Sequence, residues 1–210
     1  MSVRWSMPEL LAVLRDRRAR RAFDSRPVLE DVQDALWQAV AVAPSHANAQ
    51  PTRVLVADSP HVRQQLIEAL SDGNRQWAPA APLLFALLAN PSHDSAPRNR
   101  DGSQRELWAF HAGIAAGNLM AQATACGLVA HPMAGFDEEA VRAAFGVPDD
   151  LRVITIFAAG YPGTTESLPA DLQRRETDPQ ERLPLTHLVG HDAWNAEMGV
   201  SARGLRGRRS

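Results

Sequence analysis

The 210-residue chain contains no lysine; all 22 of its basic residues are arginine. That absence excludes the lysine Schiff bases of pyridoxal-phosphate enzymes and class I aldolases. It equally excludes a Walker A loop, whose lysine reaches the nucleotide phosphates. Any anion bound here must be held by backbone amides or by arginine forks, which stay charged at every working pH and match phosphate or carboxylate two bonds at a time. The single cysteine, Cys126, excludes an intramolecular disulfide and any multi-cysteine zinc or iron–sulfur cage, and reads as a small buried hydrophobe. No histidine pair has metal-site spacing within a coherent helix, so no metal is expected, and His61, His93, His187 and His191 read as surface residues. The opening MSVRWSMPEL lacks the apolar stretch of a signal peptide, which predicts a cytoplasmic protein.

Charged side chains are also missing from Leu107 to Phe136, a span long enough to cross a membrane. Asn118, Gln122, Thr124 and two histidines interrupt it, and alanine, which supplies much of its apolar content, gains little from lipid. The expectation is therefore a central helix over about 104–126, closed by Gly127, and no membrane partner. Overall, 45% hydrophobic and 22% charged residues make an ordinary globular chain, large enough to fold without staples. The net charge of −2 is uneven: residues 1–26 hold seven Arg against Glu9, Asp16 and Asp24, and residues 203–210 hold four Arg and no acid. The basic ARGLRGRRS end has no aromatic to stack on bases and no recognition motif, so a frayed tail is expected rather than a nucleic-acid site.

Ser6-Met7-Pro8-Glu9 has the form of a capping box, predicting a helix that sets Leu10, Leu11 and Leu14 on one face and ends in the arginine run at 17–21. Val32, Leu36 and Val40 predict a second helix over about 29–42. Ala43–Pro51, bracketed by prolines, reads as a loop, Thr52–Ala57 as a strand, and Ser59-Pro60 as the start of a helix to about Leu70. The unbroken apolar run Pro82–Ala89 predicts a buried central strand, followed by a polar insert over residues 90–103. A short strand near Leu128–Ala130, a turn HPMAGFD, a helix from the cap Asp137 to Phe145 stopped by Gly146, and a strand Val153–Ala159 complete the pattern. Beyond Pro162 the chain is rich in proline and charge, with a helical hint only near 185–189. The reading is one α+β domain over 1–210, with a core over about 8–162, an extended arm over 163–190 and a flexible tail over 191–210.

Three segments carry candidate chemistry. Arg17-Arg18-Ala19-Arg20-Arg21-Ala22-Phe23 either complements the negative end of a helix dipole or forms an anion site, since closely spaced permanent cations repel unless something negative sits among them. Pro44-Ser45-His46-Ala47-Asn48-Ala49-Gln50-Pro51 is either a polar turn or a rigid loop able to hydrogen-bond a polar ring edge. In His131-Pro132-Met133-Ala134-Gly135-Phe136-Asp137, Gly135 would let a planar ligand approach the backbone.

In this order and spacing the segments resemble the nitroreductase family of FMN-dependent flavoproteins over roughly residues 8–190. RRARRAF, APSHANAQP, the apolar strand after Asn74…Ala81-Pro82, the Ala-rich helix, PMAGFD, and VPDDLRVITIFAAGYP followed by ERLP carry the resemblance. It implies an antiparallel-rich central sheet flanked by helices, in an intertwined homodimer with FMN at the interface and the C-terminal arm exchanged. It further implies an NAD(P)H-dependent (NADH or NADPH) oxidoreductase that reduces flat acceptors such as nitroaromatics or quinones by a ping-pong hydride mechanism. On that likeness Arg17 and Arg18 hold the FMN phosphate, with Ala19 beside it, and Arg21 faces the pyrimidine edge. Pro44, Ser45, His46, Ala47, Asn48 and Gln50 reach the flavin from the partner subunit. Asn74 and the segment Pro132, Met133, Ala134 and Gly135 line the ring, and Arg182 returns to the phosphate. The chemistry rests on the cofactor, so no dedicated catalytic side chain is expected beyond Arg21 as an electrostatic stabiliser. Ala19 stands where the family usually has serine, removing a phosphate hydrogen bond worth on the order of 1 kcal/mol. Gln180 replaces a frequent basic residue, and Arg53 a frequent aromatic one. A flavin-binding or storage protein with little turnover, and a specialised relative such as an enoate or aldehyde reductase or a dehydrogenase, are the alternatives.

Overall fold

In β2 (Leu83–Ala89) every residue is buried, because both faces of this strand are covered by apolar layers. The computed structural model describes residues 9–94, 98–103 and 105–201. β1 (Thr52–Val56), β2, β3 (Val129–Met133) and β4 (Arg152–Gly160) form an antiparallel sheet in the order β1-β2-β4-β3. The two-residue period of a strand divides β2 between two cores. Leu84, Ala86 and Leu88 join Ile156, Ala158 and Met133 on one face, while Leu83, Phe85, Leu87 and Ala89 join Phe157 and Ala159 on the other. Phe85 and Phe157 stack there with ring centroids 5.0 Å apart.

The second of these faces is covered by α2 (Glu30–Ala41) and α5 (Trp108–Ala125), reached through α1 (Ala12–Asp16), α3 (Pro60–Glu68) and α4 (Asp72–Arg75) in chain order. Leu36 of α2 and Ala112, Leu119 and Ala123 of α5 face the sheet, small side chains allowing close approach. The first face is covered by α3, α6 (Glu138–Phe145) and α7 (Ala170–Thr177), through Leu66, Val141 and Leu172. Local signals behave as expected at two of these helices. Ser59 caps α3 by accepting the Val62 N–H, and Asp137 caps α6 by accepting that of Ala140, with Gly146 left-handed at φ 63° beyond it.

Four expectations are corrected. The first helix is only α1, Ala12–Asp16, and Leu10, Leu11 and Leu14 are exposed, because among the described residues no element covers that face; Ser6, Met7 and Pro8 lie outside the described residues. The strand near 128–130 continues to Met133, since Pro132 and Met133 still pair with Phe157 and Ile156 of β4. α7 was not foreseen: it is charge-rich and buries a single residue, Leu172. His187 is partly buried, its Nε2 3.7 Å from Glu197 Oε2. The boundary between two compact units falls after Glu176. The second unit holds short turns of 3-10 helix at Leu185–His187 and Ala196–Gly199, and residues 202–210 of the expected tail lie outside the described residues. Among the described residues no helix is long and apolar enough to cross a membrane, and no group of three or more His, Cys, Asp or Glu could hold a metal.

Candidate functional site

α1 stops at Asp16, and Arg17 leaves helical geometry at φ −54°, ψ 126°. Arg18–Arg21 therefore run through an irregular segment beyond the helix end; Arg15 is the basic residue in the last turn, and Arg18 reaches back to its carbonyl. The segment is hung on the end of β4. Phe23 bridges to Pro162, the Asp24 N–H donates to Tyr161 O and the Gly163 N–H to Ala22 O, both at 2.9 Å.

Two side chains from distant elements splint the residues just before. Glu176 of α7, its side chain 1% exposed, accepts the N–H of Arg21 at 2.7 Å and of Ala22 at 3.2 Å on Oε1. Its Oε2 lies 3.5 Å from the Arg21 guanidinium, which also sits 5.9 Å above the Trp77 ring. His131 Nδ1 stands 3.0 Å from Arg20 O, a contact that requires the proton on Nδ1, and its ring packs 4.5 Å from that of Trp77. Arg18 donates through one guanidinium nitrogen to the carbonyls of Arg15 and Arg17, each at 2.9 Å. Burial, with the Arg175 charge behind it and Glu176 opposing, draws the Arg21 pKa below its usual value, but a guanidinium remains a cation there.

Burial, reinforced by the Arg21 charge, pushes His131 down to about 4 from its usual 6.5. Above pH 6.5 both folded and unfolded chains carry it neutral. As the pH falls from there towards 4, the unfolded chain takes up a proton that the fold refuses, so stability drops across that window. The loss is on the order of 2–3 kcal/mol at its foot. His131→Asn keeps a donor near the Nδ1 position and removes the titration. Urea unfolding at pH 7.5 and 4.5 should show the variant losing less stability than the parent; equal losses would contradict the neutral buried imidazole.

Next to this cluster, Gly135 O accepts from Asn74 Nδ2 at 3.0 Å and from the Ser71 N–H at 2.9 Å. A Cβ on Gly135 would come 2.5 Å from Ser71 Oγ. The chain's own packing, then, demands the glycine, since Ser71 fills the space a Cβ would take. Asn74 and Pro132–Gly135 are thus brought together as expected, with Ala134 exposed beside them. Trp77, His131 and Glu176 were not singled out as site residues. Trp77 lies three residues beyond Asn74, a spacing that offered a signal; Glu176 offered none, being 155 residues from Arg21.

Pro44–Pro51 lies over the opposite face of the sheet. A cavity of about 300 Å³ beneath it is lined by Trp37, Val40, Pro44, Ser45, Arg53 and His111, among others. Ala47, Asn48 and Gln50 have φ of 49°, 55° and 47°, left-handed values costing a non-glycine residue roughly 1 kcal/mol or more each. Ser45 Oγ accepts the Gln50 N–H at 2.9 Å, and His111 Nε2 accepts the His46 N–H at 3.3 Å. Arg53 donates to Gln50 O at 2.8 Å, which gives this residue a role as a clamp on the loop. In the second unit, Arg182 donates to Gln180 Oε1 at 2.8 Å.

Residues 14–161 match the model of the nitroreductase family. The chain belongs to that family. An NADH dehydrogenase of Thermus thermophilus is 29% identical over 197 residues, covering 82% of this chain and 91% of its own. A 15.4 kDa protein of Mycolicibacterium smegmatis, named only as uncharacterized, is 41% identical over 125 residues, 60% of this chain and 79% of its own. A crystal structure described as an oxidoreductase containing FMN superposes with a TM-score of 0.79 at 28% identity, covering 91% of this chain and 96% of its own. A nitroreductase family protein of Clostridium difficile shares the fold at a TM-score of 0.71 and 24% identity, over 89% and 100% of the two chains. Within the nitroreductase fold, the donor chemistry of the arginine segment fits a phosphorylated flavin: permanently charged planar forks suit a phosphate, and the Asn74 amide near exposed Ala134 suits a polar ring edge.

Proposed function

We propose that this protein is an FMN-dependent oxidoreductase that uses NADH or NADPH to reduce flat acceptors such as nitroaromatics or quinones, acting as a homodimer. The observation that carries the reading is the irregular arginine segment, splinted at Arg20–Ala22 by His131 and Glu176. The relatives named as an NADH dehydrogenase and as an FMN-containing oxidoreductase support it. Bound FMN would supply the redox chemistry between the nicotinamide and the acceptor, in ping-pong order. The chain's own residues bind and orient. Arg17 and Arg18 would neutralise its phosphate. Arg21 places positive charge at the pyrimidine edge, where negative charge grows on reduction. Pro132–Gly135 and Asn74 present main-chain and amide groups to the ring.

Topology supports the dimer. Ala22, Phe23 and Trp77 belong to one face of the sheet, whereas Trp37 and Val40, beneath the Pro44–Pro51 loop, belong to the other. One chain cannot close both on a single ligand; a second copy can supply the loop. Exposed Leu10, Leu11 and Leu14 offer that copy an apolar face, as do Leu185, Leu188 and Val189 of the arm and Trp194 beyond it. The purified chain, mixed with FMN, should turn yellow on desalting, bleach with NADH or NADPH, and regain colour on adding a quinone. A chain that retains no FMN sinks the reading. One that binds FMN but stays oxidised under excess NADPH is a flavin-binding protein instead.

A further inference from the structure

Glu176 does two separable things at the arginine segment. Oε1 accepts two consecutive N–H groups, those of Arg21 and Ala22 at 2.7 and 3.2 Å, which is a structural task. Oε2 lies 3.5 Å from the Arg21 guanidinium, longer than a charge-assisted hydrogen bond of ordinary strength, so this second contact is mainly electrostatic. The guanidinium keeps donors for another partner. Both groups are shielded from water, with side chains 18% and 1% exposed, so their charges are weakly screened. A ligand beside Arg21 meets a cation backed by an anion.

We propose that Glu176 is a positioning residue that sets the redox potential of the bound flavin by offsetting the charge of Arg21. The inference rests on the reading that Arg21 faces the pyrimidine edge of FMN. A lone arginine there would favour the reduced, more negative cofactor strongly; the carboxylate behind it holds that preference down and keeps the reduced flavin a stronger donor. The device needs the carboxylate on an element remote in sequence, since α7 brings Glu176 to Arg21 across 155 residues.

Glu176→Gln keeps an oxygen for the two N–H groups and removes the charge. The full chain loaded with FMN, equilibrated with a reference dye, reads the midpoint potential, and fluorescence titration reads oxidised FMN affinity. Relative to the parent, Glu176→Gln should raise the preference for reduced over oxidised FMN about tenfold, close to 30 mV for a two-electron couple. Arg21→Gln should lower it. In the double variant the effect of Glu176→Gln should shrink, since part of it acts by positioning the guanidinium. Should Glu176→Gln fail to fold, Glu176→Asp, which keeps the charge but draws it back from Arg21, should shift the potential the same way. A potential unmoved by either position-176 variant, while Arg21→Gln still lowers it, overturns the role of Glu176 and leaves the oxidoreductase reading standing. A shift that persists undiminished in the double variant overturns it too. An Arg21→Gln potential equal to the parent's removes Arg21 from the flavin and the inference with it, and a chain that takes up no FMN overturns the functional reading itself.

Discussion

Gly163→Ala is expected to destabilise the protein by about 3 kcal/mol or more and to strip the site of its FMN. The new Cβ would fall on the main-chain carbonyl of Phe23 and 2.7 Å from the Asp24 nitrogen. Neither neighbour can rotate away, as a flexible side chain could. To make room, the strand end must release the Gly163 N–H to Ala22 O bond, one of the ties that hang the arginine segment on β4. Urea unfolding checks the first part and flavin content after desalting the second. An unfolding free energy within about 0.5 kcal/mol of the parent's would mean that the segment does not lie against Gly163.

Arg18→Ala should weaken FMN binding roughly thirtyfold, about 2 kcal/mol, through loss of a charge-assisted contact to phosphate. Because Arg18 is exposed and its recorded bonds go to carbonyls of its own segment, unfolding should change by less than about 0.5 kcal/mol. That split separates a ligand-binding role from a structural one. Titration of the variant with FMN at fixed ionic strength measures it, and raising the salt should weaken the parent more than the variant, since one fewer cation is being screened. Affinity unchanged by the substitution would take Arg18 out of the phosphate site.

The parts of the fold that read well from the sequence share a property: their side-chain period agreed with what eventually covered them. Val32, Leu36 and Val40 marked α2; the apolar run marked β2 as a strand buried on both faces; Asp137 and Gly146 bounded α6. Leu10, Leu11 and Leu14 show where that stops. Their spacing announced an apolar face, but these residues are 61%, 67% and 49% exposed, because periodicity says which face is apolar and not what will lie on it. α7 escaped for the opposite reason, since Leu172 anchors an otherwise charged helix and one apolar residue makes no pattern. At the site, the segments nearly contiguous in the chain were legible: the arginine run, the Pro44–Pro51 loop, and Pro132–Gly135.

The amino-acid sequence by itself determined that any anion here must meet arginine or backbone amides, that cysteine chemistry and lysine chemistry are excluded, and that the ordered motifs belong to nitroreductases. These are consequences of residue identity and short-range spacing. Only the tertiary structure decided that the arginines leave the helix, that Gly135 yields its space to Ser71, and that Glu176 and His131 clasp the main chain between Arg20 and Ala22. It also decided that loop and arginine segment lie on opposite faces of the sheet. Each of these depends on groups distant in sequence meeting in a desolvated place, where one partner's charge or bulk fixes what the other can do, and no local pattern encodes such a meeting.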